Sequence, residues 1–157
     1  HSRSARRCRV AGENAIGGDR AFTGSLGTQV VKVFDLAVAR TGLRDHESDG
    51  GRIRAGDRRV GRRRPQADYP GAHELTLRVT GDATTGRLLG MQLVGHMDGA
   101  VAKRVDIAAA ALFAGLTVDQ VSDLDLAYTP PLGSPWDAVQ VAAQDWCKAR
   151  VVPSHPT

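Results

Sequence analysis

A tyrosine followed by two prolines is the feature of this 157-residue chain whose residue types most directly suggest chemistry. Tyr128 precedes the pair Pro130-Pro131 with one residue between. Each proline fixes its own φ and biases its predecessor away from the α region, so the segment is predicted to be extended. Such a segment holds the phenol in one place, where it can donate a hydrogen bond at neutral pH. A tyrosine that only packs against its neighbours is the alternative interpretation.

Other side chains that could do chemistry are scattered. Cys8 and Cys147 form no C-x-x-C pair, so neither a local redox dithiol nor a cysteine zinc knuckle is expected. No metal site is expected either, because the histidines lack i, i+4 or other metal-ligand spacing; they are His1, His46, His73, His96 and His155. The run Lys103-Arg104-Val105-Asp106 is interpreted as a charged anchor at an interface or as a solvated helix face.

The net charge of +4 comes from two short arginine-rich segments, residues 3–9 and 52–64. A basic module that binds nucleic acid through Arg52 to Arg64 is therefore the alternative function. That segment lacks interleaved aromatic residues for base stacking, and no recognition helix adjoins it, so a solvated loop is favoured. The chain also lacks the G-x-G-x-x-G and G-x4-G-K-[ST] phosphate loops and the G-x-S-x-G nucleophile elbow.

The length is typical of one domain, and the low aromatic content of 4% predicts a core of Val, Leu and Ala. No apolar run is long enough to span a membrane, and residues 1–20 have no signal-peptide core. We therefore expect a soluble, cytoplasmic protein with no membrane partner.

Hydrophobic periodicity predicts the elements that must position these side chains. Residues 1–9 are expected to be an irregular tail, with a short helix from Val10 to Ala15. Residues 29–35 are predicted to form a strand followed by a loop through Gly42. Residues 45–68 contain so few aliphatic residues that loop or disorder is expected.

The second half of the chain has clearer patterns. Alternation at Leu75, Leu77 and Val79, and again at Leu89, Met91 and Leu93, predicts a β-hairpin with one buried face. A helix follows from Gly99 to Gly115, whose apolar stripe is Val101, Val105, Ala108, Leu112 and Leu116, with Lys103, Arg104 and Asp106 away from it.

Two further helices are predicted from their N-terminal caps. Thr117 with Gln120 forms a capping box for a short helix, and Ser134 with Pro135 is expected to begin a last helix that buries Val139, Ala142, Ala143 and Trp146. The fold class that these elements predict is α+β, with an antiparallel sheet and helices on one face.

Several short segments resemble, in order, the C-terminal dimerisation domain of FAD-dependent pyridine nucleotide-disulfide oxidoreductases, and in particular the coenzyme A-disulfide reductase and NADH oxidase-like subgroup. The resemblance covers residues 10–44 and 69–147. Its segments are Gly24–Thr28, Val31–Leu36, Thr41–Leu43, Tyr69–Ala72, Lys103–Asp106, Tyr128–Pro131 and Ser134–Asp137.

The resemblance implies a homodimer in which Tyr128 lies over the partner subunit's active site, acting in catalysis and in substrate binding. It also implies that Tyr69 binds substrate, and that Asp68 replaces a tyrosine of the family pattern. The dimer interface residues that it implies are Lys103, Arg104, Asp106, Pro130, Pro131 and Trp136.

The parent enzyme that the resemblance implies has FAD and NAD(P)H domains and a redox cysteine, none of which is in this chain. No cofactor is expected here, and no activity alone. Residues 1–22 are interpreted as the end of an FAD-binding domain, 23–150 as the dimerisation domain with 46–66 atypical, and 151–157 as a tail. A shifted reading frame over the atypical segments, and a remnant with no stable fold, are the other interpretations.

Overall fold

The computed structural model describes residues 2–44, 47, 60–62, 73–129 and 134–151. Its helices are α1 (Ser2–Ala15), α2 (Val101–Ala114), α3 (Val118–Ser122) and α4 (Ala138–Val151). Its strands are β1 (Gln29–Val33), β2 (Leu36–Gly42), β3 (Val60–Arg62), β4 (Leu75–Gly81) and β5 (Leu88–His96). The turn η1 (Met97–Gly99) is a single turn of 3₁₀ helix.

The five strands form one antiparallel sheet in the order β1-β2-β5-β4-β3. The central strand β5 pairs with β2 and β4, so that Leu93 lies between Ala39 and Leu77. Because side chains alternate across a strand, these three residues lie on the same face of the sheet, where all three are buried. The predicted α+β class is therefore confirmed.

Helices α2, α3 and α4 cover that face and complete the hydrophobic core. The core has few aromatic side chains, as the composition predicts, with Trp146 as its large ring. The core residues from the sheet are Ala39, Leu75, Leu77, Val79, Leu88, Met91 and Leu93, and those from the helices are Val101, Val105, Ala108, Ala111, Val118, Val121, Val139, Ala142, Ala143 and Trp146.

Two strands were not predicted. Strand β2 lies where a loop was expected, because Phe34 and Asp35 form a two-residue hairpin connection without the usual glycine. Strand β3 lies inside the segment expected to be loop, and it pairs with β4 through Val60 and Leu77. Pairing at a sheet edge requires backbone groups more than apolar side chains, so composition does not reveal it. The rest of residues 46–66, apart from Glu47, lies outside the described residues.

The β4–β5 hairpin is confirmed, but Leu88 and not Leu89 is the buried leucine at the start of β5. A β-bulge between Thr80 and Gly81 pairs Gly81 with Leu88 instead of Leu89. Because a shift of one residue exchanges the two faces of a strand, Leu88 is buried and Leu89 is only half-buried.

Helix α1 begins at Ser2, so the expectation of an irregular tail over residues 1–9 is wrong for 2–9. These residues include four arginines, which favour helix, although they lack an apolar stripe. The helix lies on the surface, where Arg6 donates a hydrogen bond to the Gly24 carbonyl (3.3 Å) and Arg7 lies over the ring of Phe22.

The predicted end of α2 and start of α3 are confirmed. Gly115 has a φ of +71°, and the amides of Gly115 and Leu116 donate to the carbonyls of Leu112 and Ala111, which is a Schellman motif. Thr117 and Gln120 form the capping box, with hydrogen bonds of 3.1 and 2.9 Å.

The opposite face of the sheet is not covered by the described residues. Strands β1, β2 and β5 expose a continuous row of aliphatic side chains there, which we call the outer apolar face. Its members are Val31, Val33, Leu36, Val38 and Val94. Exposed contiguous apolar surface is typical of sites that contact another protein surface.

None of the helices in the described part of the chain is long and apolar enough to cross a membrane.

Candidate functional site

Arg104 lies on the buried side of α2, so the expectation that it lies away from the apolar stripe is wrong. Its side chain is 5% exposed. Nε donates to both carboxylate oxygens of Asp137 at 3.0 and 3.1 Å, Nη2 donates to one of them at 2.9 Å, and Nη1 donates to the Gly99 carbonyl. The buried guanidinium is tolerated because a carboxylate and a carbonyl satisfy it.

Asp137 begins α4, which corrects the expected start at Ser134 and Pro135. Asp137 Oδ1 accepts a hydrogen bond from the Val139 amide (3.0 Å), and its carbonyl accepts the first helical bond from Val141. Serine and aspartate both cap helices well. The helix begins at Asp137 and not at Ser134 because Asp137 also pairs with Arg104. Ser134 Oγ instead donates to the Trp136 carbonyl.

The environment of Asp137 favours its charged form. Burial opposes ionisation, but the hydrogen bonds from Arg104 and the Val139 amide outweigh it, so the pKa of the Asp137 carboxyl is below its usual value. The pair is therefore a charged, bidentate contact at neutral pH.

Gln140 is a buried polar residue that sequence reasoning missed. Its Oε1 accepts from the Asp137 amide (3.1 Å), and its Nε2 donates to the carbonyls of Ser122 (3.2 Å) and Leu124 (2.8 Å). One side chain thus joins the end of α3 to the start of α4. The spacing Asp137-x-x-Gln140 is that of a capping box, so the sequence could have predicted the bond from the Asp137 amide to Gln140. The bonds to the Ser122 and Leu124 carbonyls depend on tertiary structure.

Tyr128 lies in the chain segment between these two tied ends. Residues 125–129 have no helix or strand, and the Tyr128 side chain is 48% exposed. The Tyr128 hydroxyl makes no hydrogen bond to any of the described residues. Pro130 and Pro131 lie outside the described residues, so their predicted place at a dimer interface stays a prediction.

The other expected interface residues divide into two groups. Lys103, Asp106 and Trp136 are exposed, whereas Arg104 lies behind that surface and not on it. Asp106 and Phe113 line an open cleft of about 470 Å³ between α2 and residues 23–28, with Arg6 of α1 at its side. Tyr69 lies outside the described residues, as does the Arg52–Arg64 segment apart from the backbone of β3.

The two cysteines are free, and no disulfide joins them. Cys8 is exposed, while Cys147 is half-buried beside Asp119 and Arg150. Burial raises the pKa of the Cys147 thiol, so it is mainly protonated at neutral pH. This environment does not favour a thiolate nucleophile.

The described residues do not fit a dinucleotide. Binding FAD or NAD(P)H through a glycine-rich loop requires a strand, a tight turn and a helix N-terminus in succession. Here Gly86 closes the β4–β5 turn with a φ of +76°, and Gly81 packs where an added Cβ would lie 2.6 Å from the Trp146 ring. These glycines therefore serve a turn and a packing contact.

Comparisons with known proteins agree with this architecture. The chain is 39% identical over 137 residues to an NAD(P)H sulfur oxidoreductase (CoA-dependent) of Pyrococcus furiosus, covering 86% of this chain and 30% of that protein. It is 31% identical to a coenzyme A disulfide reductase of Staphylococcus aureus, covering 84% of this chain and 30% of that protein. The chain thus spans about 30% of the length of these curated relatives.

A solved NAD-dependent persulfide reductase from A. fulgidus superposes with a TM-score of 0.78 at 33% identity, over 90% of this chain and 26% of that one. The family model for the pyridine nucleotide-disulphide oxidoreductase dimerisation domain matches residues 28–139. The chain belongs to the family of pyridine nucleotide-disulphide oxidoreductase dimerisation domains.

Proposed function

We propose that this chain is the dimerisation part of an FAD-dependent NAD(P)H oxidoreductase that acts on a disulfide or persulfide, and that it presents Tyr128 to the active site of the partner subunit in a homodimer. Relatives named as coenzyme A disulfide reductase and as CoA-dependent NAD(P)H sulfur oxidoreductase support this substrate class. The chain alone is proposed to be catalytically silent.

The observation that carries the proposal is the combination of a free phenol and fixed flanks. The Tyr128 hydroxyl has no partner among the described residues, whereas Gln140 and the Arg104–Asp137 pair tie the chain before and after it. An exposed hydroxyl that makes no hydrogen bond to the described residues of its own subunit is well suited to contact another subunit. In a two-fold dimer, each chain can do so for the other.

We assign different roles to the residues of this chain: Tyr128 contacts the substrate, and other residues position it. The Tyr128 O–H donates a hydrogen bond to an anionic sulfur of the substrate, which stabilises the negative charge. Gln140 holds the chain at Leu124 before Tyr128, and the Arg104–Asp137 pair holds it at Asp137 after Tyr128. When bound by other parts of the full-length enzyme, NAD(P)H would supply the two electrons and FAD would pass them to the sulfur substrate.

We also propose that residues 23–150 form the dimerisation domain and that α1 belongs to the end of an FAD-binding domain. In support, α1 is tied mainly to the segment that follows it, by the Arg20–Glu13 ion pair (2.7 Å) and by Arg6. Most of its side chains from Ala5 onward are exposed.

The test is a chimera in which this chain replaces the matching segment of the Pyrococcus furiosus relative. The chimera is expected to reduce sulfur with NAD(P)H in the presence of coenzyme A, and Tyr128→Phe is expected to lower kcat/KM by about 10- to 100-fold, the loss of one hydrogen bond to a charged group. Phe34→Leu, in the exposed β1–β2 turn and outside the implied interface, is the control and should change kcat/KM less than about threefold.

A mixed dimer separates action across the dimer from action within one subunit. One chimera carries Tyr128→Phe, and the other carries a serine in place of the redox cysteine that the resemblance implies for the parent chain. If Tyr128 acts on the partner, mixing the two impaired proteins restores full activity at one of the two sites. No restoration in a verified mixed dimer would contradict the proposal.

A further inference from the structure

Two histidines and an aspartate meet at one end of the sheet, although the sequence spacing predicts no metal site. His73, His96 and Asp98 each offer one ligand atom, and these three atoms all lie within 4.8 Å of one another. We propose that the three side chains bind a divalent transition-metal ion of the Zn²⁺ or Ni²⁺ type. The proposal does not depend on the proposed function, because none of the three ligands is assigned a role in it.

The sheet register explains why sequence spacing hides the cluster. Leu75 of β4 pairs with Gly95 of β5, so the residues just before β4 lie beside the last residue of β5. His73 comes just before β4, and His96 ends β5. Antiparallel pairing therefore joins two histidines that are distant in the chain.

The third ligand is placed by a tight turn. His96 is the N-cap of η1, and its Nδ1 accepts a hydrogen bond from the Asp98 amide (3.3 Å). The same Nδ1 lies 3.3 Å from Asp98 Oδ2. Arg104 anchors this turn by donating to the Gly99 carbonyl, so His96 and Asp98 stand on a fixed piece of backbone.

The donor set selects the class of ion. Two imidazole nitrogens and one carboxylate oxygen suit Zn²⁺ and Ni²⁺, whereas Mg²⁺ and Ca²⁺ prefer six or more oxygen ligands. The Asp98 side chain is 73% exposed, so water can complete the coordination. Three protein ligands with one open position is a common arrangement for zinc.

Binding requires a local change in the two histidine rings. The rings of His73 and His96 are stacked, with centroids 3.7 Å apart and an angle of 19° between planes. Ligand atoms on a tetrahedral zinc are roughly 3.4 Å apart, given zinc–nitrogen distances of about 2.0 to 2.1 Å. The rings must therefore turn out of the stack so that one nitrogen of each points at the ion, a movement available to half-buried side chains at a strand end.

The experiment is calorimetric titration of the full 157-residue chain with ZnCl₂ and, separately, NiCl₂. We expect one ion per chain, bound at least tenfold more weakly by His73→Ala, by His96→Gln and by Asp98→Asn. Asp125→Asn is the matched control, because it neutralises an exposed carboxylate that does not belong to the cluster, and it should leave the affinity unchanged. Near-UV circular dichroism confirms that each variant is folded.

Three results would overturn the proposal. They are no saturable binding by the wild-type chain, equal affinity of wild type and the folded His73→Ala variant, and loss of binding in a control variant instead. A stacked histidine pair that only packs would give the first result. Competition with a large excess of Mg²⁺ should not displace the ion; displacement would contradict the assigned donor chemistry.

Discussion

Arg104 donates hydrogen bonds to both carboxylate oxygens of Asp137, which lies 33 positions further along the chain. The pair joins the first turn of α2 to the start of α4, and both side chains are largely shielded from water. Asp137 also caps α4, so one carboxylate fixes a helix start and a contact between helices.

Removing one partner of this pair should be costly, because the other is then left buried and charged. Asp137→Ala is expected to lower the free energy of unfolding by about 3 kcal/mol, as measured by urea denaturation of the full chain. The control is Glu13→Gln, which breaks the exposed pair with Arg20 and should cost less than about 1 kcal/mol. Equal losses for the two variants would contradict this account.

The same carboxylate predicts how stability depends on pH. Because the pKa of Asp137 is lowered in the folded chain, its contribution is fully present above the unfolded value of about 3.9 and is lost as pH falls toward the folded value. The stability difference between wild type and Asp137→Asn should therefore be constant from pH 7 to 5 and shrink below about pH 4. A difference that grows on acidification would show that the sign is wrong.

Gln140 should couple energetically to the Arg104–Asp137 pair. Gln140→Leu leaves the amide of Asp137 and the carbonyls of Ser122 and Leu124 without their partner, at an expected cost of about 2 to 3 kcal/mol. A double-mutant cycle with Asp137→Ala is expected to give a coupling energy above about 0.5 kcal/mol. The neighbouring Gln144→Leu is the control, and additive effects in the cycle would argue against a shared network.

Phe34 carries local backbone strain. Its φ is +53°, a region that costs a residue with a Cβ roughly 1 kcal/mol, and its side chain is almost fully exposed. Phe34→Asn should therefore raise the free energy of unfolding by about 0.5 to 1 kcal/mol, since asparagine tolerates this conformation. The exposed helical residue Phe113 has no such strain, so Phe113→Asn should give no gain.

The outer apolar face should drive association of the chain. Val38 lies between Val31 and Val94 at its centre, so Val38→Lys is expected to weaken self-association in sedimentation experiments at least tenfold. Thr76→Lys, on the same face but outside the aliphatic row, is the matched control. Unchanged association of both variants would exclude this face as the contact.

Local patterns predicted the parts of the fold that local physics determines. The Leu75–Val79 alternation, the Gly115 cap and the Thr117–Gln120 box depend on neighbours within a few residues, and all three were confirmed. Strand β2 was missed because its alanines favour strands weakly and its turn lacks glycine. The wrong start of α4 has a different origin, since Asp137 is selected by a residue of another helix.

In the candidate site, too, the features that depend on near neighbours were predicted and those that depend on distant residues were not. The sequence indicated Tyr128 and the Lys103–Asp106 run, but it placed Arg104 with its charged neighbours because helical periodicity reports faces and not distant partners. Gln140 could not be predicted as a link between helices, because two of its three bonds are to carbonyls near α3. Long-range hydrogen bonds of this kind have no short sequence signature.

The position of β5 in the sheet has a consequence for the growing chain. Among the strands of the described residues, β5 is the last to be synthesised. It lies between β2 and β4, so this sheet cannot be completed until residues up to His96 have left the ribosome. Until then the β1–β2 pair is an isolated hairpin, which is at best marginally stable in water, and the edge of β2 that pairs with β5 is open. Chains that stop before His96 should therefore be prone to aggregation during synthesis.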